Sequence, residues 1–355
     1  MSRKKIIVVG SGVVGASIAY HLARRGAEVQ LLDERQAPGC GVTGHAFGWI
    51  NLVNGSSTAN PASYRLRLQA IEDFRRLETE FPEAFEGVRC GSIVWEKTPA
   101  MTEARAREHQ AWGAPIELVD AAAIALMEPS LRDVPDCAAF SPDDIAIDPG
   151  DLSRALVRAA VSAGATANFG IKVTSVETLN GRATGVRTAG DIIDADAVVI
   201  AAGTAVDTLT SALGANIGVE SSPCVLLRYQ VEQPFITRIL CGSELEIRQA
   251  NDHSLIVATS YVEGAEDDAA MAIGHRFLEA IGRSLAVPGE IAFRKGVVGY
   301  RPFFADGFPR LGFLPQVEGV YVAVGHPGVI LAPLLGRLAT EALLDDRHSS
   351  LVPDL

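Results

Sequence analysis

Three glycines at GxGxxG spacing, Gly10, Gly12 and Gly15, follow directly on the apolar run Ile6-Ile7-Val8-Val9. Such a run favours a buried parallel strand, then a tight turn, then a helix N-terminus aimed at a phosphate. Gly10 permits the turn, Gly12 lets backbone amides approach a pyrophosphate, and Gly15 lets helix and strand pack closely. A helix is predicted over Ala16 to Arg25, with Ile18, Ala19, Leu22 and Ala23 on one stripe and Gly26 as its stop. Glu28 to Leu32 reads as a second strand. Asp33 ends it, 23 residues after Gly10, placed to accept hydrogen bonds from a ribose hydroxyl. An ordinary βαβ unit with a glycine-rich turn is the competing reading; the motif favours a dinucleotide site.

With 355 residues and 48% hydrophobic content the chain can bury a large core, and two domains are expected. A net charge of −12 disfavours nucleic acid or an anionic membrane as partner. The densest basic group, Arg65, Arg67, Arg75 and Arg76, is interleaved with acids and reads as a solvated helix face. Arg3, Lys4 and Lys5 precede an apolar run as in a secretory leader, but the glycine spacing and the missing small-residue cleavage pattern argue otherwise. No apolar run reaches the roughly 20 residues of a membrane span. Cys40, Cys90, Cys137, Cys224 and Cys241 are odd in number and form no CxxC pair, which predicts reduced thiols in a cytoplasmic protein and no metal site.

Beyond Asp33, the loop from Pro38 to Gly48 is rich in glycine, as backbone packed against a flat ligand would be. Helices are predicted over Tyr64 to Phe81, Met101 to Gly113, Asp120 to Met127, Asp151 to Ala163 with Asp151 as N-cap, and Asp267 to Leu285. Ala197 to Ala201 is a second fully apolar strand running into glycine, read as another central strand of the same parallel sheet. Val225 to Val231, Ser243 to Gln249 and Ser254 to Thr259 alternate as in an antiparallel sheet, hence a second domain. Val320 to Val324 reads as a strand, followed by a loop and a closing helix.

Four segments in this order carry a resemblance: GSGVVGASIAYHLARRGAEVQLLDE, ADAVVIAAGTAVDTL, GYRPFFADGFPRLG and GHPGVILAP. Together they resemble the D-amino-acid oxidase family of flavoproteins. The resemblance implies an α/β fold: a discontinuous Rossmann-like FAD-binding domain, residues 1–48, 146–222 and 296–355, and an α+β substrate domain with an antiparallel sheet, residues 49–145 and 223–295. It assigns the adenine end of FAD to Gly10, Gly12, Val13, Val14, Gly15, Asp33, Glu34 and Arg35, with Val173 beside them. The flavin end falls to Gly41, Thr43, His45, Ala46 and Gly48, and to Gly325, Gly328, Val329, Ile330 and Leu331 of a 325–331 loop. The Ala202-Gly203 turn faces FAD as well. The implied reaction moves a hydride from a carbon bearing an amine to flavin N5, giving an imine that hydrolyses.

Arg301 matches the family position that binds the substrate carboxylate, and a planar guanidinium suits that task; a structural ion pair is the alternative. Tyr229 is either a second substrate contact or a packed strand tyrosine. His45 departs from most of the family and resembles the dimethylglycine dehydrogenase segment, in which the histidine is bonded to the flavin. Its other reading is a hydrogen-bond donor to the flavin or a backbone carbonyl. The 325–331 loop is about two residues shorter than the glycine oxidase segment it resembles, and His326 reads as a backbone-positioning residue.

Two functions follow from the resemblance. One is an FAD-dependent amine or amino-acid oxidase or dehydrogenase that passes electrons to oxygen or another acceptor. The other is a non-catalytic or electron-transferring FAD subunit of a larger amino-acid or opine dehydrogenase complex, with a homo-oligomer or partner subunit. An NAD enzyme is disfavoured by the far-separated segments, and a hydrolase by the lack of GxSxG and HExxH.

Overall fold

The computed structural model describes residues 3–55, 58–85, 88, 90–260, 267–353 and 355. Ile6, Ile7 and Val8 are fully buried because the first strand, Lys5–Val9, has a parallel neighbour on each side, Glu28–Asp33 and Ala197–Ile200. A strand so enclosed has no face for polar side chains, which is what its β-branched run provides for. Thr166–Phe169 extends this sheet beyond Glu28–Asp33, while Val320–Val324 and the antiparallel Arg310–Phe313 extend it beyond Ala197–Ile200. The resulting six-stranded sheet draws on four distant parts of the chain.

The first helix, Val13–Arg24, starts three residues ahead of the predicted Ala16, because Gly12 already serves as its N-cap. Two helices flank it, Pro149–Ser162 and the last helix, Gly328–Asp345. Its crossing with the last helix is close: a Cβ on Gly336 would stand 2.7 Å from His21 Nδ1 and collide with Ser17 Oγ. Pro149–Ser162 is capped by Asp148 rather than by Asp151. The Asp148 carboxylate accepts the Asp151 amide at 3.0 Å, and Pro149, which has no amide to satisfy, takes the first position.

A second sheet of eight strands runs in the order Ile291–Phe303, Glu220–Val231, Ser254–Ser260, Glu246–Asn251, Ile239–Cys241, Ser92–Val94, Cys137–Ser141, Glu117–Asp120. It is antiparallel save for one parallel pair, Ile239–Cys241 with Ser92–Val94, where the chain re-enters from the 49–145 stretch. The longest strand, Ile291–Phe303, had no sequence signal: Arg294-Lys295-Gly296 breaks the alternation and Pro302 reads as a loop. Pro302 is tolerated because this is an edge strand. The domain limits expected at 222 and 296 therefore fall inside two paired strands. The helix Pro61–Glu80, from the 49–145 stretch, also lays Leu66, Phe74 and Leu77 into the core of the six-stranded layer. Its Asp73, 3% exposed, holds Arg337 of the last helix through two bonds at 2.9 and 3.0 Å. Among the described residues no helix is long and apolar enough to cross a membrane.

Candidate active site

The glycine turn is built against protein on one side and open on the other. Gly10 takes φ +103°, and a Cβ there would lie 2.5 Å from Ala201 O; one on Gly15 would collide with Gly10 O. The Val13 amide donates to Thr43 Oγ1 at 3.1 Å, so Thr43 ties the helix start to the 41–48 loop. Asp33 accepts from Ser11 N at 2.6 Å, Ser11 Oγ at 2.7 Å and Arg35 N at 2.8 Å, which fixes the turn to the end of the second strand. Glu34 faces solvent in a loose pair with Lys172. Ile171 donates to Asp33 O and Gly170 to Arg35 O, bringing buried Val173 and its strand to the same end.

Three glycines face space. A Cβ on Gly203 would meet nothing within 4 Å, one on Gly41 only Arg35 Nε at 3.9 Å, and one on Gly328 only Val14 Cγ2 at 3.7 Å. Ala202 leads into Gly203, and Ala202 Cα is 3.3 Å from a Gly10 Cβ. The N-termini of the first and last helices, at Val13 and Gly328, thus adjoin each other through Val14. Neither has an acidic residue in its first turn. Two positive dipole ends and glycine-lined walls fit the diphosphate of a dinucleotide.

Two expected contacts take another form. The segment 325–331 is a loop only to Pro327, and Gly328 already begins the last helix. Gly325 packs on Pro309, and a cis peptide joins His326 to Pro327. Ile330 and Leu331 lie in the core and Val329 packs against it, so they can offer only backbone to a ligand. Gly48, at φ +77°, makes room for the backbone of Ile147 rather than for a flat ligand: a Cβ would collide with Ile147 O, and the Ile147 amide donates to Gly48 O at 2.8 Å.

The loop that carries His45 is clamped from the other sheet. Arg248, 3% exposed, donates to Phe47 O at 2.7 Å and Ile147 O at 3.1 Å, and its guanidinium stands over the Phe47 ring. Val42–His45 forms a 3-10 turn that Ala46 closes by donating to Thr43 O at 3.2 Å. His45 Cβ lies 3.2 Å from the position of a Gly299 Cβ. Burial lowers the His45 pKa, and Lys295, Arg35 and Arg228 lower it further, so the ring is neutral at pH 7.

Strand parity sorts the facing sheet. Ser222 pairs with Arg301, Cys224 with Gly299 and Leu226 with Val297, so these share one face, the face Gly299 turns to His45. Glu246, opposite Ala258, joins them two strands further in. Tyr229 has the other parity. It is fully buried in the opposite core and donates to Gly274 O at 2.9 Å, so the packed-strand alternative describes it and the substrate-contact reading is withdrawn.

Arg301 donates to Ser222 Oγ at 2.9 Å and, at 3.4 Å, to Ser222 O; among the described residues no carboxylate pairs with it. Burial raises the Glu246 pKa to about 7, with Arg301 pulling the other way. His326 is pushed down to about 4 by burial, then by Arg301 and Arg67, and is a neutral ring. Sequence reasoning missed Glu246, Ser222 and Arg248; the registers of Glu220–Val231, Ser254–Ser260 and Glu246–Asn251 put them on one face, and the unrecognised strand Ile291–Phe303 adds Arg301 to it.

The model of a family described as FAD dependent oxidoreductase matches residues 5–342. Glycine oxidase from Geobacillus kaustophilus is 29% identical, over 96% of this chain and 92% of its own. The crystal structure of glycine oxidase from that organism superposes with a TM-score of 0.82 at 24% identity, covering 99% of this chain and 96% of the other. Iminodiacetate oxidase from Chelativorans gives a TM-score of 0.83 at 23% identity, covering 98% and 99%.

Proposed function

The chain belongs to the FAD-dependent oxidoreductase family, and from that premise we propose that it oxidises the C–N bond of a small amino acid or carboxylated amine. The observation that carries this reading is Arg301: a guanidinium bonded, among the described residues, to Ser222 alone, on the sheet face that Gly299 turns to His45. A fork left without a carboxylate partner suits a carboxylate brought by the substrate. In this reading Gly10–Gly15, Asp33, Gly203, Gly328 and the His45 turn would hold FAD.

The substrate loses a hydride from the carbon bearing the amine, the nitrogen lone pair closes a C=N bond, and water hydrolyses the imine to an oxo product and an amine. FAD supplies the hydride acceptor, at N5. The chain's residues prepare this step. Arg301 fixes the carboxylate and thereby the direction of the reacting C–H bond. Glu246, poised near pH 7 beside Arg301, takes the proton of an arriving ammonium, since only the neutral amine has a lone pair to give. Neutral His45 and Gly299 close the other side.

The test is the visible spectrum of the purified protein under anaerobic conditions. A flavin spectrum that bleaches with a carboxylated amine is expected; a protein that takes up no FAD, or a flavin that no such amine bleaches, overturns the reading. Acid precipitation separates the two roles of His45: flavin kept in the pellet supports a covalent link, and flavin released to the supernatant removes it.

A further inference from the structure

Arg67 belongs to the basic group expected on a solvated helix face, yet its Nη1 is sealed from solvent and has no hydrogen-bond partner among the described residues. It sits two turns into the helix Pro61–Glu80, seven residues after the cap Asn60 and so on the same face. Asn60 Nδ2 is 3.9 Å from a Gly307 Cβ, within the bend that follows the Arg301 strand. Pro309, in the same bend, packs on Gly325, the neighbour of His326. The helix face bearing Arg67 therefore meets the bend that links Arg301 to His326. Gly55, whose added Cβ would lie 3.1 Å from Arg67 Cδ, leaves room for the arginine stem. Both guanidiniums act on the His326 ring, and among the described residues the electrostatic partner of Arg67 itself is the Tyr64 hydroxyl. Tyr64 in turn bonds a neutral, fully buried His109.

A buried cation without a counter-charge is costly, and leaving one unpaired costs more than pairing it. Arg67 is such a cation, and it acts on the same neutral imidazole as Arg301. We propose that Arg67 is a second anion-binding group of the substrate site, so that the preferred substrate is an amine carrying two carboxylates, one for each guanidinium. This rests on the amine-oxidising reading above and narrows its substrate class. Arg301 takes the carboxylate next to the reacting carbon, and Arg67 takes the distal one across His326. The uncharged ring of His326 lets both anions approach without adding a third positive charge that would fix them too tightly for release.

The holoenzyme provides the test through the perturbation of its flavin spectrum by carboxylates that cannot be oxidised. Malonate and succinate should bind at least tenfold more tightly than acetate and propionate. Arg67→Met should reduce that preference to within twofold while leaving acetate affinity unchanged, and Arg301→Met should weaken both classes. A wild-type protein without a dicarboxylate preference overturns the proposal. So does an Arg67→Met variant that weakens mono- and dicarboxylates equally, which would put both guanidiniums on one carboxylate. Should Arg67→Met fail to fold, Arg67→Lys replaces it, with a partial loss of the preference expected and an unchanged preference counting against. A flavin bleached by monocarboxylated amines with no dicarboxylate preference overturns this inference alone. A flavin bleached by no carboxylated amine overturns the amine-oxidising reading and this inference with it.

Discussion

Arg301 and Glu246 lie on one sheet face, and each predicts a separate kinetic signature. Replacing Arg301 by Met removes a charge-assisted carboxylate contact of about 2 kcal/mol, so kcat/KM for carboxylated amines should fall about 30-fold, through KM more than kcat. An unchanged KM would remove Arg301 from substrate binding. Glu246 must be ionised to accept a proton, so kcat/KM should rise through about pH 7 and level off above it. Glu246→Gln should lose that limb. Stability gives a second check with a definite sign. A carboxyl whose folded pKa lies above its unfolded value disfavours the folded state as pH rises through that window. Glu246→Gln should therefore melt higher than wild type above pH 7 and alike below pH 4. The sequence pointed to Arg301 through a motif, but could not tell which side Tyr229 takes. A shift of register between Arg228 and Tyr229 and an unmarked partner strand decide that, and one residue of slip exchanges the faces of a sheet.

Elements with strong local signals were readable: the first strand, its helix, the second strand and the central strand Ala197–Ile200 all carry apolar runs bounded by glycine. The start of the last helix was not, because a glycine followed by Val329-Ile330-Leu331 reads equally as loop or first turn. Packing of Ile330 and Leu331 into the core settles it. Two substitutions test how elements are held. Gly336→Ala places a methyl inside the contact distance of Ser17, and overpacking of this kind costs about 1–3 kcal/mol. Urea unfolding should show a lower midpoint with an unaltered slope. Arg248→Met leaves the carbonyls of Phe47 and Ile147 without their donor. Each such loss costs about 1–3 kcal/mol, and the His45 turn should loosen. Dialysis should then remove FAD faster from the variant than from wild type, provided the link through His45 is not covalent; equal retention would mean that Arg248 does not position the loop.

At the scale of the whole molecule, the two sheets come together where Gly299, on the strand of Arg301, meets His45 of the 42–45 turn. Family-like segments in the right order made this architecture legible, but the limits between its parts were not. Paired strands such as Glu220–Val231 and Ile291–Phe303 carry the boundary within them, and the helix Pro61–Glu80 leans on the layer opposite to the one its position suggests. The gathering of the six-stranded sheet from distant segments has a consequence for how the protein is made. Lys5–Val9 leaves the ribosome well before its neighbour 197–200, the strand beyond that, 320–324, and the two helices that flank its own helix, 149–162 and 328–345. The cofactor cradle thus cannot close until residues 328–345 have emerged. Its apolar first strand must wait, exposed, while the facing sheet is still being synthesised, which makes this enzyme a natural client for holding chaperones during translation.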